Sequence, residues 1–468
     1  MSSEDSGRRH RRRPDLDTVY TINTDGSRNF LHPADVKGPW QIRKNLIWLV
    51  LIVIYVIMPW IPVGGHPMVH LDLPGRSAHL FGFTFTNQDF YLAFFLVTGM
   101  GFALFVLTSL WGRVWCGYAC PQTVFMEGVM RRVERWIEGP RNPRIRRNLG
   151  PWNFDKFWRK ALKHLLFLGL SYVIAHVFLS YFIPARELLH VVRSSPSAHT
   201  SAFFWSMFWT AVLYFNYAWF REQTCLIVCP YGRLQSTLVD DDTVVIGYDA
   251  NRGEPRAKGV DEGGDCIDCF RCVEVCPTGI DIRNGLQMEC IGCANCIDAC
   301  DDIMTKIDKP KGLVRYDSQR GFESGQRRFW RPRVLIYAFM GLLGLAAFGF
   351  KASQRESFQV NALRSAGLPY SIEEGKLRNL YTLHLQNKTD APRSFRIEAD
   401  ADAIAAHPGL EFIIPQPEIL LGALEDGRAP VFALLPRSDY SAPFDLNLRV
   451  TPLDSDETRT LTLRFRGP

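Results

Sequence analysis

Twelve cysteines fall into four clusters, and two of those clusters carry the spacing of a redox relay. Cys266, Cys269, Cys272 and Cys276, with Pro277 behind the last, form a C-x2-C-x2-C-x3-C run, which Cys290, Cys293, Cys296 and Cys300 repeat. Three closely spaced cysteines on one tight loop supply three ligands of a 4Fe-4S cube, and in two-cluster ferredoxins the fourth cysteine of each run serves the other cube. That crossing assigns Cys266, Cys269, Cys272 and Cys300 to one cluster and Cys290, Cys293, Cys296 and Cys276 to the second. Zinc knuckles are the alternative, but zinc sites usually space their cysteines as two separated pairs.

The remaining four cysteines form two C-x3-C-P motifs, Cys116 with Cys120-Pro121 and Cys225 with Cys229-Pro230. Proline disfavours helical geometry in the residue before it and suits the first turn of a new helix, so Cys120 and Cys229 are expected at helix N-termini. The helix dipole there favours thiolate. Each motif follows two apolar stretches, an internal duplication that brings all four sulfurs together if the two hairpins pack face to face. Such a set suits Cu(I), zinc or a further iron–sulfur centre, or cycles between dithiol and disulfide; four small residues buried at helix ends is the bland reading.

Other candidates weigh less. His66, His70 and His79, with Met58 and Met68, read as scattered residues of an outward loop able to receive copper. His164 and His176 are poor haem ligands, lying about 18 Å apart along one helix. Asp268, Asp298, Asp301 and Asp302 are expected to set a low cluster potential and a docking surface.

The elements that must hold these residues are membrane helices. The chain has 468 residues, 47% of them apolar, and five apolar blocks approach the roughly 20 residues needed to cross a bilayer: 45–62, 90–111, 164–184, 202–220 and 334–350. The net charge of +6 does not point to nucleic acid, because the basic residues sit where topology needs them. Arg8, Arg9, Arg11, Arg12 and Arg13 precede the first block, and eight arginines from Arg113 to Arg147 lie between the second and third. The positive-inside rule puts these segments and residues 221–333 in the cytoplasm and the C-terminal domain outside. No cleavable signal peptide is expected, since the first apolar block starts beyond residue 40. All twelve cysteines then fall on the reducing side.

The chain divides into a polar N-terminal segment (1–44), a four-helix membrane domain with the two C-x3-C-P motifs (45–240), a two-cluster ferredoxin domain (241–305), a basic linker (306–333), a fifth span (334–350) and an outward domain (355–468). Val124, Phe125, Val129, Val133, Trp136 and Ile137 recur at helical spacing, predicting a helix on the inner membrane surface. In the last domain Tyr381, Leu383 and Leu385, then Phe444, Leu446, Leu448 and Val450, then Leu461, Leu463 and Phe465 alternate with polar residues. Short alternating strands over this length predict an immunoglobulin-like β-sandwich. It carries no ionisable cluster and reads as a docking module. The expected fold is thus a multi-domain membrane protein: a bundle of five transmembrane helices, a ferredoxin-like insert and a β-sandwich.

This combination resembles the cytochrome c oxidase accessory proteins called CcoG, FixG or RdxA, and its membrane half also resembles NapH-type quinol dehydrogenase subunits. The resemblance implies a bacterial inner-membrane protein with two 4Fe-4S clusters that acts in building the cbb-type oxidase by reducing Cu(II) to Cu(I), with copper held at Cys116, Cys120, Cys225 and Cys229. A cytoplasmic electron donor, and oxidase subunits or copper-delivery proteins, are the implied partners. A quinol or quinone oxidoreductase and a non-catalytic assembly scaffold are the competing functions. One departure stands out: Asp301 follows Cys300 where the ferredoxin pattern has proline.

Overall fold

The computed structural model describes residues 30–86, 89–257, 263–354, 356–364, 370–373, 375–389 and 391–468. The N-terminal arginine run lies outside them. Two compact units emerge, one made of the described residues up to Ile61 with Ala93–Phe348, the other of Pro62–Leu92 with Gly349–Pro468.

Among the described residues four helices are long and apolar enough to span a membrane: α1 (Pro39–Ile57, extended to Trp60 by a 3-10 turn), α2 (Phe90–Trp111), α3 (Phe154–Leu179) and α5 (Pro332–Ser353). The block expected at 202–220 is different. Helix α4 runs Thr200–Phe215, 16 residues, and passes into a π-helical turn at Asn216–Phe220. Much of the apolar surface of these helices faces away from protein, as Leu46, Leu49 and Val50 on α1 and Phe94 and Val97 on α2 show. This is the arrangement of helices solvated by lipid chains. Small residues let backbones approach: a Cβ on Gly344 of α5 would lie 3.0 Å from the Gly99 Cα of α2. Polar tips tie the others, with Tyr55 of α1 donating to the Ile174 carbonyl of α3 (3.1 Å) and the Ser206 hydroxyl of α4 3.0 Å from His176 Nε2 of α3.

The helix predicted to lie on the membrane surface exposes Arg132 and Arg135 but buries both of its carboxylates. Arg131–Glu138 keeps Val133 and Ile137 inside, yet Glu134 and Glu138 are each only 1% exposed, while Trp136 points outward. The two carboxylates belong to an ion network. Glu134 pairs with Arg144 (3.0 Å), Arg221 (2.9 Å) and Lys163 (3.5 Å), and Glu138 with Lys160 (2.8 Å) and Lys163 (3.1 Å).

The second unit contains the β-sandwich. One antiparallel sheet orders Glu411–Ile413, Asp426–Pro436, Lys376–Asn387 and Phe358–Arg364; the other orders Glu418–Leu421, Arg393–Ala399, Phe444–Pro452 and Arg459–Phe465. Burial alternates along the whole of Lys376–Asn387, placing Tyr381, Leu383 and Leu385 in a core with Phe395, Leu446, Leu448, Val450 and Phe465. The outward loop expected over 64–89 instead folds into strands up to Thr86. β1 (Val69–Asp72), β2 (Ser77–Leu80) and β3 (Phe83–Thr86) form a meander, anchored to the sandwich by a buried Lys388–Asp89 ion pair (3.4 Å).

Candidate iron–sulfur and thiol site

The two cysteine runs adopt one backbone. In each, the residue before the second cysteine and the residue after it have left-handed φ: Asp268 (50°) and Phe270 (58°) in the first, Gly292 (66°) and Ala294 (63°) in the second. Non-glycine residues avoid this region, so its repetition at matched positions is a local cost that each loop bears. Left-handed residues set into such loops turn successive N–H groups toward one concavity, a cradle for an anion.

The eight sulfurs gather in two groups. Cys266, Cys269, Cys272 and Cys300 line a single cavity, beside Tyr248 and Arg283. Cys276 lies near Cys290, Cys293 and Cys296. Burial pushes all three of those thiols up, Cys290 to about 12, and the nearby Cys276 adds to each shift. Burial likewise raises Cys300 to about 12, reinforced by Cys269. Buried thiols of this kind lose their protons only to a strong cation, and iron–sulfur clusters are bound by thiolates, so both groups fit 4Fe-4S ligation.

The missing proline has a structural result. After Cys276-Pro277 the chain turns at once, and the helix before it spans only Arg271–Glu274. With Asp301 in place of proline, the corresponding helix continues through Cys300 and covers Asn295–Lys306. Asp301 accepts a hydrogen bond from the Gly312 N–H (2.9 Å).

The other carboxylates have mainly internal partners. Asp298, 3% exposed, accepts from the Trp40 N–H (3.2 Å) and Gln41 N–H (2.8 Å), capping the start of α1. Asp268 pairs with Arg283 (2.6 Å), and Asp302 with Lys306 (2.6 Å). Of these, Asp302 remains exposed and Asp298 is buried. A buried cation completes the attachment. Lys44 of α1 donates to the Cys293 carbonyl (3.0 Å) and to Asn295 Oδ1, with Trp48 beneath its ammonium.

As the Cys–Pro pairs predict, Cys120 and Cys229 are the N-cap residues of new helices, with Pro121 and Pro230 in the first turn. The duplication is less exact upstream. Cys116 rides on a short α-helix, Val114–Tyr118, whereas Cys225 lies in a π-helical turn, Thr224–Val228. All four thiols share one neighbourhood: burial, helped by Cys120 and Cys229, raises Cys116 to about 11, and burial, Cys120, Cys116 and Cys229 raise Cys225. At Cys120 burial also wins over the amides of Thr123 and Gln122 and pushes the thiol up. The Cys116 thiol donates to buried Gln235 Oε1 (3.4 Å).

The two sulfur systems meet at Gly117. A Cβ there would lie 2.8 Å from the Ile291 carbonyl oxygen, 2.9 Å from that of Gly292 and 3.0 Å from Cys293 Cα. The loop between Cys116 and Cys120 is thus packed backbone to backbone on the loop between Cys290 and Cys293. An apolar cavity of about 410 Å3 opens on the other side of the motif, lined by Ala119 and Pro121 together with Tyr55, Phe125, Trp209 and Tyr217. His164 and His176 are engaged by Tyr214 and Ser206.

Comparison with known proteins agrees with this architecture. Residues 220–319 match a family model described as a 4Fe-4S dicluster domain, residues 92–141 one described as a 4Fe-4S binding domain, and residues 348–468 one for the Ig-like fold at the C-terminus of FixG. Among curated proteins, RdxA of Cereibacter sphaeroides is 36% identical over 400 residues, covering 81% of this chain and 84% of that one. RdxB of the same organism is 36% identical over 431 residues (86% and 89%). Nitrogen fixation protein FixG of Rhizobium meliloti is 33% identical over 439 residues (82% of each). A crystal structure of a FixG-related protein from Vibrio parahaemolyticus aligns with 24% of this chain and 96% of its own at 16% identity, with a TM-score of 0.21. On the strength of the curated relatives, each matched over four-fifths or more of both chains, this chain belongs to the FixG/RdxA family of membrane iron–sulfur proteins.

Proposed function

We propose that this protein passes single electrons from a soluble donor through two 4Fe-4S clusters to Cu(II) bound at Cys116, Cys120, Cys225 and Cys229, releasing Cu(I) for assembly of a cbb-type cytochrome oxidase. On this reading Cys266, Cys269, Cys272 and Cys300 hold one cluster, and Cys290, Cys293, Cys296 and Cys276 the other. Bound there, each cluster supplies one-electron storage at low potential. The observation that carries the reading is the contact at Gly117, where the paired-thiol loop rests on the second cluster loop without an intervening side chain. Thiolates prefer the Cu(I) product to the Cu(II) substrate, which favours reduction. Each cluster gives one electron, so two Cu(II) ions consume one fully reduced protein. The arginines between α2 and α3 argue for a cytoplasmic cluster domain in the inner membrane and a periplasmic β-sandwich that grips oxidase subunits or copper-delivery proteins.

The test is anaerobic. Purified protein is reduced, Cu(II) is added, and return of the oxidised-cluster absorbance is followed together with Cu(I) captured by a chromogenic chelator, in wild type and in Cys116→Ser/Cys120→Ser. Reoxidation matched by Cu(I) and lost in the variant supports the reading. Clusters that stay reduced, or equal Cu(I) from the variant, overturn it.

A quinol or quinone oxidoreductase is the second reading, and the apolar cavity against Ala119 and Pro121 favours it. Its size and lining suit a prenylated ring beside Cys120. A short-chain quinone that reoxidises the reduced protein, and fails once Trp209→Ala or Tyr55→Phe alters the cavity, would support that function. The match of residues 92–141 to a 4Fe-4S model adds a measurement of iron: about eight atoms per chain fit two clusters, and about twelve place a third at the thiol pairs.

A further inference from the structure

We propose a second metal site, remote in sequence from every cysteine, in which His66, His70 and His79 bind a borderline transition-metal ion, Zn(II) or Cu(II). The proposal stands apart from the copper-reductase reading and does not depend on it. His70 and His79 are directly paired across β1 and β2, and Thr84 on β3 is paired with His79. Residues opposite each other in an antiparallel sheet point to the same face, so the meander sets the two imidazoles side by side. His66 comes from the short strand before β1, and its ring stacks on His79 with centroids 3.8 Å apart. One ligand nitrogen from each of the three residues lies within 4.8 Å of the others.

Two features separate this from a chance gathering of histidines. His70 is only 6% exposed, and neither of its ring nitrogens has a hydrogen-bond partner among the described residues. A buried imidazole with both nitrogens unmatched is costly unless something absent from the chain satisfies it. His79, 4% exposed, has Nδ1 2.9 Å from the Thr84 hydroxyl and Nε2 at a longer 3.3 Å from Ser77. Donation from Nδ1–H to Thr84 directs the Nε2 lone pair to a metal, the arrangement by which outer partners orient ligating histidines.

Tetrahedral coordination with Zn–N bonds near 2.0–2.1 Å places ligand nitrogens about 3.4 Å apart. The cluster therefore closes by up to about 1.4 Å on loading, a movement that ring rotation supplies. Three neutral imidazoles suit zinc and copper and disfavour magnesium and calcium, which take oxygen ligands. With three protein ligands the fourth position stays open, as in sites that exchange a ligand rather than in closed structural ones.

The test uses the full chain in detergent with Cys116→Ser and Cys225→Ser built in to suppress binding at the thiol pairs. Zn(II) retained after equilibrium dialysis is counted against iron in that background, in the added variant His66→Ala and in the added variant His70→Gln. One zinc per chain in the background, weakened at least tenfold by either histidine change at constant iron, supports the site. Because His66 is only partly buried, its variant guards against loss of the fold. Cu(II) spectra showing imidazole nitrogen hyperfine structure, absent in both variants, would support it independently. Equal zinc in all three proteins, or loss in His70→Gln alone, overturns the three-histidine site.

Discussion

The two duplications in this chain have diverged to different degrees. The C-x2-C-x2-C-x3-C runs repeat down to φ angles, with left-handed residues at Asp268 and Phe270 matched by Gly292 and Ala294. The C-x3-C-P motifs repeat only at their Cys–Pro caps, and Cys116 and Cys225 sit in different helical forms. A rigid cube dictates the positions of its ligands, so both loops around it must adopt one shape even where that strains phenylalanine or alanine. The thiol pairs obey no such template. Between the two motifs in sequence, the Glu134–Arg221 ion pair ties the helix after the first to the turn before the second.

The sharpest way to break this contrast is at the point where the two systems touch. Gly117→Val places a branched side chain into the Ile291 and Gly292 carbonyls and the Cys293 backbone. The pairs must then back away while the cluster loop, held by its own ligands, keeps its geometry. Stopped-flow reoxidation by Cu(II) should slow on the order of 100-fold, the scale on which an ångström of misplacement acts, with cluster absorbance retained. An unchanged rate would mean that electrons leave by another route.

Next in size is the clamp. Glu134 follows the first pair, and Arg221 precedes the second. Burial alone would raise the Glu134 carboxyl, but Arg221, Lys163 and Arg144 outweigh it and hold it well below the usual carboxylate range. A depressed folded value means that its stabilisation is fully present above the ordinary carboxylate range and is lost only as pH falls through the folded value. Glu134→Gln takes the carboxylate from buried Arg144 and Arg221, while Lys163 keeps Glu138 at 3.1 Å, and should cost about 3–5 kcal/mol. Denaturant unfolding followed by tryptophan fluorescence reads it, and loss of the thiol-pair activity should precede loss of cluster absorbance.

Cysteine spacing and Cys–Pro order are local, so the sequence alone locates the cluster runs and the helix caps. The β-sandwich core is legible in the same way, because period-two alternation at Tyr381, Leu383 and Leu385 depends on neighbours only. The Glu134 network is not, because its partners Arg144, Lys163 and Arg221 are distant along the chain and charges between apolar residues look like a solvated face. Asp298 resembles a surface carboxylate for the same reason: its partner is the start of α1, more than 250 positions away. The sequence offers His66, His70 and His79 only as scattered loop residues able to receive copper, and their convergence is not legible because strands of four residues barely establish a period.

A smaller effect should fall on one cluster alone. Lys44 brings a buried positive charge to the Cys293 carbonyl, whereas Arg283 beside the first group is already matched by the carboxylates of Asp268 and Asp281. Lys44→Met keeps the length and removes the charge, making the second cluster harder to reduce. Redox titration should show a downward shift on the order of 50 mV, the Coulomb effect of one charge at protein dielectric over about 10 Å, with the first cluster unmoved. Equal shifts in both would mean that the charge acts through the fold rather than locally.

The smallest effect tests the repeated backbone itself. Ala294 holds left-handed φ with a Cβ, and relief of that strain in Ala294→Gly should stabilise the second loop by about 1 kcal/mol, since glycine adopts this region freely. Gly292→Ala is the opposite experiment, adding a Cβ at φ 66° that would lie 3.2 Å from the Arg113 carbonyl carbon and oxygen. It should destabilise by a similar or larger amount. The rate of cluster loss to a chelator, compared across the two variants, reads both signs in one assay: slower than wild type for Ala294→Gly and faster for Gly292→Ala. If both change in the same direction, the matched φ angles are a by-product of packing and not a shape that the ligands impose.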